Sequence, residues 1–523
     1  MYKQLDVRQE NIVAYQLSGN ITSEKLDEFA DKLEEHFDLT KSVNLLLELK
    51  DFDEWDVRKS FSLSRFLLSQ NNKLSRIAFV TVTNDDDLKV IEQLIPFLSG
   101  VEIERFDNVE NAKKWLKENE GSDHWTVDPT RYRGEARSPK DLRILIVGAG
   151  IAGLTLASML QQRDMSPEVV EDAEEFGKIG YVIILMSAGA RILKGLGVYH
   201  QLEERGVLVH KYDIASTDGE ILRSHKVTET YSPLFGNCYS IYRPALVDVI
   251  KRSMKDDSVI RMGTTVRNIE QTNDEVTVTF TDGTEGTYDL VVGADGLHSK
   301  VRELTFGQVE MIYSGLHGWA WWGDLDDEFS HRALEYWGTG GAFGIYSTAD
   351  RLCLVGVAEI DASLPDEPHD RKERILKHFS DWKGHVPHGL DELKTMDVNE
   401  IFHDDFYYGD QEHWYKGRVV LAGDSVHAFS PISGMGASMA IESAAVLAEE
   451  LCYVDSRFID QALRKYQERR QPRANMLRKQ ARAFGDVVTA ENAVFTGIRN
   501  VGVRHIADGP LHHFLARIPY EPV

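Results

Sequence analysis

One short segment in the middle of the chain limits the possible folds more than any other. The apolar run 142–147 is followed directly by three glycines and then by a helical pattern that ends near Leu160; the glycines are Gly148, Gly150 and Gly153. In such a strand–turn–helix the first glycine makes a tight turn, the second admits a phosphate to the backbone, and the third lets helix and strand pack closely. The segment therefore predicts a dinucleotide-binding unit.

A second strand and an acidic residue support this interpretation. The run 168–170 is followed by Glu171, 18 residues after Gly153. An acid at this position can accept hydrogen bonds from the hydroxyls of a ribose. The helix that begins at Ile151 offers its first backbone N–H groups, those of Ile151 and Ala152, to a pyrophosphate. The alternative is a chance cluster of glycines in a turn, and the register of strand, helix and acid argues against it.

Two later turns combine glycine with aspartate, and each follows an apolar run. The first turn contains Asp295 and Gly296 after the run 290–292. The second contains Gly423 and Asp424 after the run 419–422, and a long helix of small residues follows it. Repeated strand-to-helix turns of this kind are typical of an α/β fold.

The order and spacing of these three motifs resemble those of the group A flavoprotein monooxygenases, the p-hydroxybenzoate hydroxylase family, from residue 141 to about 480. The resemblance implies an α/β fold in which a Rossmann-type FAD-binding domain is interleaved with a β-sheet substrate domain. Within a module of residues 141–523 it implies FAD-binding parts at 141–307 and 411–450, a substrate sheet at 308–410 and C-terminal helices at 451–523.

The resemblance also implies roles for particular residues. Gly423 and Asp424 would bind the ribityl chain of FAD, and the Asp295 turn would lie near both FAD and NAD(P)H. Arg243 would lie near the flavin, and the backbone of Val266 would hold the adenine. A loop would lie against the isoalloxazine ring, with Pro431, Gly434, Met435 and Gly436 as its site residues.

Elementary chemistry agrees with the placement of this loop. Glycine at positions 434 and 436 avoids a collision between a side chain and the flat ring. The N-terminus of the helix that begins near Gly436 can stabilise the negative charge of a reduced flavin. By contrast, His427 beside the loop is better explained by a structural role than by catalysis.

The activity implied by the resemblance is that of an FAD-dependent NAD(P)H monooxygenase. NADH or NADPH would reduce FAD, and O2 would add to it as a C4a-hydroperoxyflavin. The product would be a hydroxylated aromatic or polycyclic small molecule. The sequence identifies no catalytic acid or base and no metal site. Two alternatives stay open: a reductase of the same fold acting on prenyl chains, and a flavin-linked regulatory protein.

Aromatic residues are frequent in the predicted substrate sheet. Trp319 and Trp321 alternate and therefore face one side of a strand, whereas Trp322 faces the other. Two interpretations of these residues stay open. They either pack inside a sheet face or line a hydrophobic pocket for the substrate.

The first part of the chain has a different pattern, in which four apolar strand segments alternate with helical ones; the strands are 12–17, 43–49, 77–82 and 101–106. This order predicts a mixed, largely parallel sheet. Together with the segment 45–55, it resembles the STAS fold of anti-anti-sigma factors, in the sporulation-protein-like branch, over residues 1–120. The serine that is phosphorylated in that group is absent after Asp53. The resemblance implies an accessory domain with a protein or lipid partner.

Composition and the segment 119–140 complete the predicted organisation. This segment is polar, contains two prolines and shows no period, which predicts a linker. The net charge of −25 argues against nucleic acid and against anionic membranes as partners. Three cysteines without a C-x-x-C pair indicate a reducing, cytoplasmic location. We expect no signal peptide and no transmembrane segment.

Overall fold

The computed structural model divides into two compact units, one of Met1–His124 with Pro472–Gln480 and one of Trp125–Gln471 with Ala481–Val523. The residues described are 2–5, 12–18, 28–29, 32, 43–50, 74–81, 102–117, 130–177, 180–230, 232, 236–309, 311–360, 367–409 and 411–505. The region around Asp53, where a phosphorylated serine would be expected, lies outside these residues.

The first unit contains a five-stranded sheet and a described helix: β1 (Tyr2–Gln4), β2 (Ile12–Ser18), β3 (Val43–Lys50), β4 (Leu74–Thr81), β5 (Glu102–Phe106) and α1 (Val109–Lys117). The strand order follows the chain order, with β1 antiparallel to β2 and the other neighbours parallel. Leu46 and Ala78 of the central strands pack with Ala112 and Leu116 of α1. The predicted mixed, largely parallel sheet is confirmed.

The second unit contains the remaining elements, except that residues 472–480 of its longest helix are assigned to the first unit. Its strands are β6 (Ile144–Val147), β7 (Glu168–Glu171), β8 (Val182–Leu185), β9 (Gly206–Leu208), β10 (Lys211–Ser216), β11 (Ile221–Lys226), β12 (Tyr239–Tyr242), β13 (Ile260–Met262), β14 (Val266–Gln271), β15 (Val276–Phe280), β16 (Glu285–Tyr288), β17 (Leu290–Gly293), β18 (Ile312–Asp324), β19 (Arg332–Trp337), β20 (Gly341–Ser347), β21 (Arg351–Glu359), β22 (Phe402–Tyr408), β23 (Tyr415–Lys416) and β24 (Val419–Leu421). Its helices are α2 (Ile151–Gln162), α3 (Ser187–Gly195), α4 (Tyr199–Arg205), α5 (Val227–Thr230), α6 (Arg243–Lys251), α7 (Lys300–Phe306), α8 (Arg371–Phe379), α9 (Val386–Thr395), α10 (Asp424–His427), α11 (Gly436–Leu451), α12 (Ile459–Val488) and α13 (Ala493–His505).

A six-stranded sheet with the order β13-β7-β6-β17-β24-β23 brings the three motifs together. All neighbours are parallel except β23 and β24. In its register Val147 pairs with Gly293, which pairs with Leu421, so β6, β17 and β24 end at the same level. Because parallel strands end at one edge of a sheet, the turns that follow these strands lie side by side. Their fully buried, apolar residues are typical of strands covered on both faces.

A seven-stranded sheet with the order β11-β10-β19-β20-β21-β18-β22 forms the second large element. Helices α8 and α9 cover one of its faces, where Trp319 and Trp321 are buried with Phe343 and Phe379 in one core. For these two tryptophans the packing interpretation is therefore right and the pocket interpretation wrong. Trp322 faces the other side, where its ring stacks under the Arg351 guanidinium at 3.9 Å.

Two strands of this sheet come from outside the predicted range 308–410. β10 pairs in parallel with β19 and antiparallel with β11, so residues 211–226 complete one end of the sheet. The sequence pattern did not reveal this pairing because it joins segments about a hundred residues apart. Two small antiparallel sheets, β8-β12-β9 and β14-β15-β16, complete the second unit.

The described part of the predicted linker is attached to the second unit. The Tyr132 hydroxyl lies 3.0 Å from Oγ of Ser456, and the backbone N–H of Arg137 donates to the same oxygen at 2.8 Å. The Arg137 guanidinium also donates to the buried Asp289 carboxylate at 2.9 Å. Residues 130–141 therefore have a defined place beside the six-stranded sheet.

Two properties of the described residues are relevant to function. None of the helices there combines the length and apolar character that crossing a membrane requires. Within the same residues, no group of histidine, cysteine, aspartate and glutamate side chains is arranged to hold a metal ion.

Candidate functional site

The turn after β6 gives its three glycines different surroundings. Gly148 has a φ of +104°, and a Cβ there would lie 2.4 Å from the carbonyl oxygen of Ala294. A Cβ at Gly153 would lie 1.9 Å from the carbonyl oxygen of Gly148. Packing within the protein therefore requires both glycines. A Cβ at Gly150, by contrast, would meet no heavy atom of the described residues within 4 Å.

The open space at Gly150 belongs to a cavity of about 290 Å³. The turn, Glu171, the segment 173–177 and helix α6 form its walls. The lining contains the cations Arg243 and Lys251 and the carboxylates of Glu175 and Asp248. Among the described side chains, none caps the start of α2. The first N–H groups of this helix, at Ile151 and Ala152, therefore point toward a region suited to an anion.

Glu171 lines this cavity, but its carboxylate also has a role within the protein. The N–H of Ala149 donates to Oε2 at 2.7 Å, and the N–H of Ala173 donates to Oε1 at 3.2 Å. Each carboxylate oxygen has two lone pairs, so a ribose hydroxyl can still donate to either. The sequence predicted only the ribose contact, and the structure adds that Glu171 holds the glycine turn in place.

Val266, predicted at the adenine, begins β14 two residues after a backbone contact with Glu171. The N–H of Thr264 donates to the carbonyl oxygen of Glu171 at 3.0 Å. The Val266 side chain is buried, and the residue pairs with Phe280 of β15. Its backbone contact with adenine stays a prediction.

The turn after β17 uses its aspartate to begin a helix. Asp295 accepts hydrogen bonds from the Ser299 hydroxyl at 2.6 Å and from the N–H groups of Lys300 and Val301 at 2.7 and 3.0 Å. Burial raises the pKa of Asp295, and these hydrogen bonds oppose that effect. The Asp295 carboxylate therefore stabilises the turn. The position of this turn near FAD and NAD(P)H stays a prediction.

The neighbouring residues link this turn to the next one. Gly296 has a φ of +79°, and a Cβ there would contact none of the described heavy atoms within 4 Å. The Arg302 guanidinium donates to the carbonyl oxygens of Leu297 and Ser425 at 2.7 and 2.8 Å. Arg302 therefore fixes the turn after β17 against the turn after β24.

The turn after β24 places Asp424 at the start of a long helix. Gly423 has a φ of +68°, and a Cβ there would lie 2.8 Å from Cβ of Ala152 in α2. Asp424 keeps accessible surface because it lines a recess, yet the surrounding protein raises its pKa and the charge of Arg243 opposes this rise. A Cβ at Gly436, the first residue of α11, would lie 3.9 Å from Oδ1 of Asp424.

We expect the Asp424→Ala variant to bind FAD about tenfold to a hundredfold more weakly than the wild type. A charged hydrogen-bond acceptor contributes about 1.5–3 kcal/mol, and alanine cannot accept the ribityl hydroxyls. Titration of the flavin-free protein with FAD would measure the loss. Asp381→Ala, at an exposed position, is the matched control and should leave FAD affinity unchanged. Equal affinity in all three proteins would contradict the role of Asp424.

The loop before α11 combines a short 3-10 turn with a glycine of positive φ. Pro431–Ser433 forms a turn of 3-10 helix, and Gly434 then has a φ of +62°. Met435 is buried and precedes α11, which none of the described side chains caps. A Cβ at Gly434 would lie 3.6 Å from Cβ of Ile184 in β8. The helix start at Gly436 is therefore open to a ligand.

The surroundings of His427 are those of a structural residue. Its Nε2 lies 2.8 Å from Oγ of Ser443, and its ring packs against Trp414 and Phe429. The side chain is buried on the side of α10 that packs against α11. The geometry gives no support for catalysis by His427.

Tyr181 is a site residue to which the sequence gave no role. Its ring centroid lies 4.8 Å from that of Phe402 in β22. Burial raises the pKa of Tyr181, the charge of Arg243 lowers it, and Asp424 raises it further. Tyr181 therefore lies near both the turn after β24 and the start of α6. Packing favours the preceding Gly180, because a Cβ there would lie only 3.0 Å from Cδ of Pro244.

These features fit a flavin dinucleotide. Gly150 lacks a side chain where its backbone conformation and the described protein would both allow one, as expected if a ligand fills that space. Two uncapped helix starts suit a pyrophosphate and a reduced flavin ring. Arg243 lies between the cavity and Asp424, so one extended molecule can contact both ends of the site.

Comparison with known proteins agrees with this geometry. The family model described as FAD binding domain matches residues 141–481, and the model described as SpoIIAA-like matches residues 12–117. The 2-heptyl-3-hydroxy-4(1H)-quinolone synthase of Pseudomonas aeruginosa PAO1 is 30% identical over 371 residues, which are 69% of this chain and 94% of that protein. The 3-amino-4-hydroxybenzoate 2-monooxygenase of Streptomyces cremeus is 28% identical over 66% of this chain and 88% of its own length.

A solved structure shows the same fold. HpxO of Klebsiella pneumoniae, in complex with FAD and uric acid, has a TM-score of 0.67 and 22% identity over 72% of this chain and 97% of that one. The family match covers well over half of the chain and includes all the motifs described above. The chain therefore belongs to the p-hydroxybenzoate hydroxylase-like family of FAD-dependent aromatic monooxygenases, and it carries a SpoIIAA-like, STAS-type domain at its N-terminal end.

Proposed function

We propose that this FAD-dependent enzyme hydroxylates an aromatic or polycyclic small molecule, with NADH or NADPH as reductant and O2 as the oxygen source. One substrate C–H becomes C–OH, NAD(P)H gives up a hydride, and the second oxygen atom leaves as water. FAD supplies the redox chemistry when bound, whereas the residues of the chain position the substrate and exclude water.

One contact carries this proposal. Ile432, in the loop expected against the flavin ring, packs in a cluster with Trp337 and Tyr212 of the seven-stranded sheet. Phe484 and Val488 of α12 belong to the same cluster and cover Trp337, so the accessible part of this face lies beside that cluster. Because side chains alternate along a strand, Trp337 lies on the face opposite to Tyr336, which belongs to the core beneath α8 and α9. A substrate held on the face of Trp337 would therefore lie beside the flavin loop.

The names of the relatives support a ring-containing substrate. One relative is named for a quinolone and another for an aminohydroxybenzoate, and HpxO was solved with uric acid. These compounds are stated for the relatives and not for this chain. Their shared feature is a flat ring system, which suits the aromatic surface of the sheet in this chain.

The test is a screen of phenols, aminophenols and fused-ring compounds with the purified, FAD-loaded protein. We expect some of them to accelerate NADH or NADPH oxidation with matching O2 uptake. The product should carry an oxygen atom from isotopically labelled O2. NAD(P)H oxidation that reduces the substrate without O2 would instead indicate the reductase alternative.

We also propose that the N-terminal domain is an accessory module for a protein or lipid partner. The match to the quinolone synthase spans 94% of that relative but 69% of this chain, so this chain has sequence that the relative lacks. A flavin-linked regulatory role would require capture of a partner by this domain together with turnover too slow for an enzyme.

Removal of residues 1–124 is expected to leave FAD bound. Every residue that lines the 290 Å³ cavity, and every glycine of the three turns, lies in the second unit. The visible flavin absorbance of the purified truncated protein would check this. A truncated protein with native circular dichroism but no flavin would show that the N-terminal domain is needed for cofactor binding.

A further inference from the structure

A carboxylate lies on the sheet face that carries the flavin-loop contact. Glu335 lies two positions before Trp337 in β19. Because side chains alternate along a strand, Glu335 and Trp337 share one face and Tyr336 lies on the other. Oε1 of Glu335 accepts a hydrogen bond from the Tyr346 hydroxyl at 2.9 Å. Oε2 accepts from the Tyr212 hydroxyl at 2.8 Å and from Nε1 of Trp337 at 3.0 Å.

Three hydrogen bonds hold the Glu335 carboxylate in one orientation, and in each of them the partner is the donor. Burial and the nearby charge of Glu335 raise the pKa values of Tyr212 and Tyr346 well above the usual value, so both hydroxyls stay protonated and donate. The Glu335 carboxylate is therefore a hydrogen-bond acceptor of fixed orientation inside an aromatic surface.

A glycine in β20 leaves room for the hydrogen bond between Tyr346 and Glu335. Gly344 pairs with Glu335 across β19 and β20, and a Cβ at Gly344 would lie 2.7 Å from the hydroxyl oxygen of Tyr346. The absence of a side chain at Gly344 thus lets the Tyr346 ring lie across the strand and reach the carboxylate. A larger residue at this position would push the hydroxyl away.

The carboxylate still has capacity for another donor. Two oxygens offer about four lone-pair positions, and the three hydrogen bonds above use one on Oε1 and two on Oε2. Glu335, Tyr212 and Tyr346 each keep part of their surface accessible, whereas Trp337 on the same face is buried against α12. Ile432 of the flavin loop packs in the same cluster as Trp337 and Tyr212.

We propose that Glu335 selects the substrate by accepting a hydrogen bond from an N–H or O–H group on an uncharged aromatic molecule, and that it disfavours aromatic carboxylates. This inference rests on the proposed function. A donor gains a charged hydrogen bond, which is about twice as strong as a neutral one. A carboxylate of the same size would meet a like charge in a poorly hydrated site.

The test uses four fused-ring probes that differ in one substituent: naphthol, naphthylamine, methylnaphthalene and naphthoate. Each is titrated into the FAD-loaded full chain, and binding is read from the change in flavin absorbance without turnover. In the wild type we expect naphthol and naphthylamine to bind at least about tenfold more tightly than the other two.

The variant Glu335→Gln removes the charge and nearly keeps the shape. We expect the ratio of naphthol to naphthoate affinity to fall about tenfold or more. Glu335→Asp retains the charge and should retain the preference against naphthoate. Glu285→Gln, in the exposed strand β16, removes the same charge elsewhere and should leave the ratio unchanged. A purely structural role would change the melting temperature without changing this ratio.

The outcomes separate the two proposals. Tight naphthoate binding to the wild type, or an unchanged ratio in folded, flavin-loaded Glu335→Gln, overturns the role of Glu335 and leaves hydroxylation standing. The wild-type comparison decides the matter even if the variant does not fold. If no ring compound binds or accelerates NAD(P)H oxidation, the proposed function fails and this inference fails with it.

Discussion

The Gly150→Ala variant is expected to fold normally and to lose FAD. Gly150 has a φ of −79° and a ψ of −169°, which alanine adopts freely, and a Cβ there contacts none of the described protein atoms within 4 Å. The same Cβ would occupy the space where the backbone must approach a pyrophosphate. We expect FAD affinity to fall at least about a hundredfold, which corresponds to about 2.8 kcal/mol.

The neighbouring Gly153 provides the contrasting variant. A Cβ at Gly153 would overlap the carbonyl oxygen of Gly148, so Gly153→Ala must displace helix α2 from β6. This variant should lose stability as well as FAD. The two glycines are three residues apart in one motif, but one is required by the ligand and the other by the protein.

Two measurements on each variant separate these effects. Thermal unfolding of the flavin-free proteins should give a wild-type melting temperature for Gly150→Ala and a clearly lower one for Gly153→Ala. FAD titration should show weak binding in both. Wild-type FAD affinity in Gly150→Ala would refute the cofactor site proposed for this turn, whereas a large loss of stability would show that the space at Gly150 has a structural purpose.

The motifs were predictable from sequence because their geometry is local. A strand, a turn that needs positive φ at Gly148 and a following helix are encoded within about twenty residues. The parallel register that aligns this turn with those at Asp295 and Asp424 follows from the α/β pattern. The fold class could therefore be predicted from the sequence alone, and the same local patterns led to the prediction of a cofactor site at these turns.

The features that the sequence did not predict are of two kinds. Some join segments that are distant in the chain, and others depend on which face of a sheet is covered by helices. Arg302 reaches the carbonyl of Ser425, 123 positions away, and the donors to Glu335 come from three strands. Alternation put Trp319 and Trp321 on the same side, but it could not show that helices α8 and α9 cover that side. Such contacts depend on strand order, which a single sequence does not encode locally.

A buried ion pair holds the helix that begins at the flavin loop. Glu442 of α11 and Arg470 of α12 lie 3.0 Å apart between Oε2 and Nη1, and both side chains are 2% exposed. Nε of Arg470 also donates to Oγ of Ser443 at 3.2 Å, and Ser443 contacts His427 beside the loop. The pair thus connects α12 to the two helices that flank the loop.

We expect Glu442→Ala to lower the free energy of unfolding by about 3–5 kcal/mol, because it leaves a buried guanidinium without its counter-charge. The matched control is Glu449→Ala on the same helix. Glu449 pairs with Arg469 at 2.9 Å, but both side chains are well exposed, so its loss should cost about 0–1 kcal/mol. Urea unfolding of the two flavin-free variants measures the difference.

The double variant Glu442→Leu with Arg470→Met should recover most of the stability, because well-packed apolar residues can replace a buried pair. Equal stability of the two single variants would mean that water or another group compensates Arg470, and that the pair does not hold α11 in place.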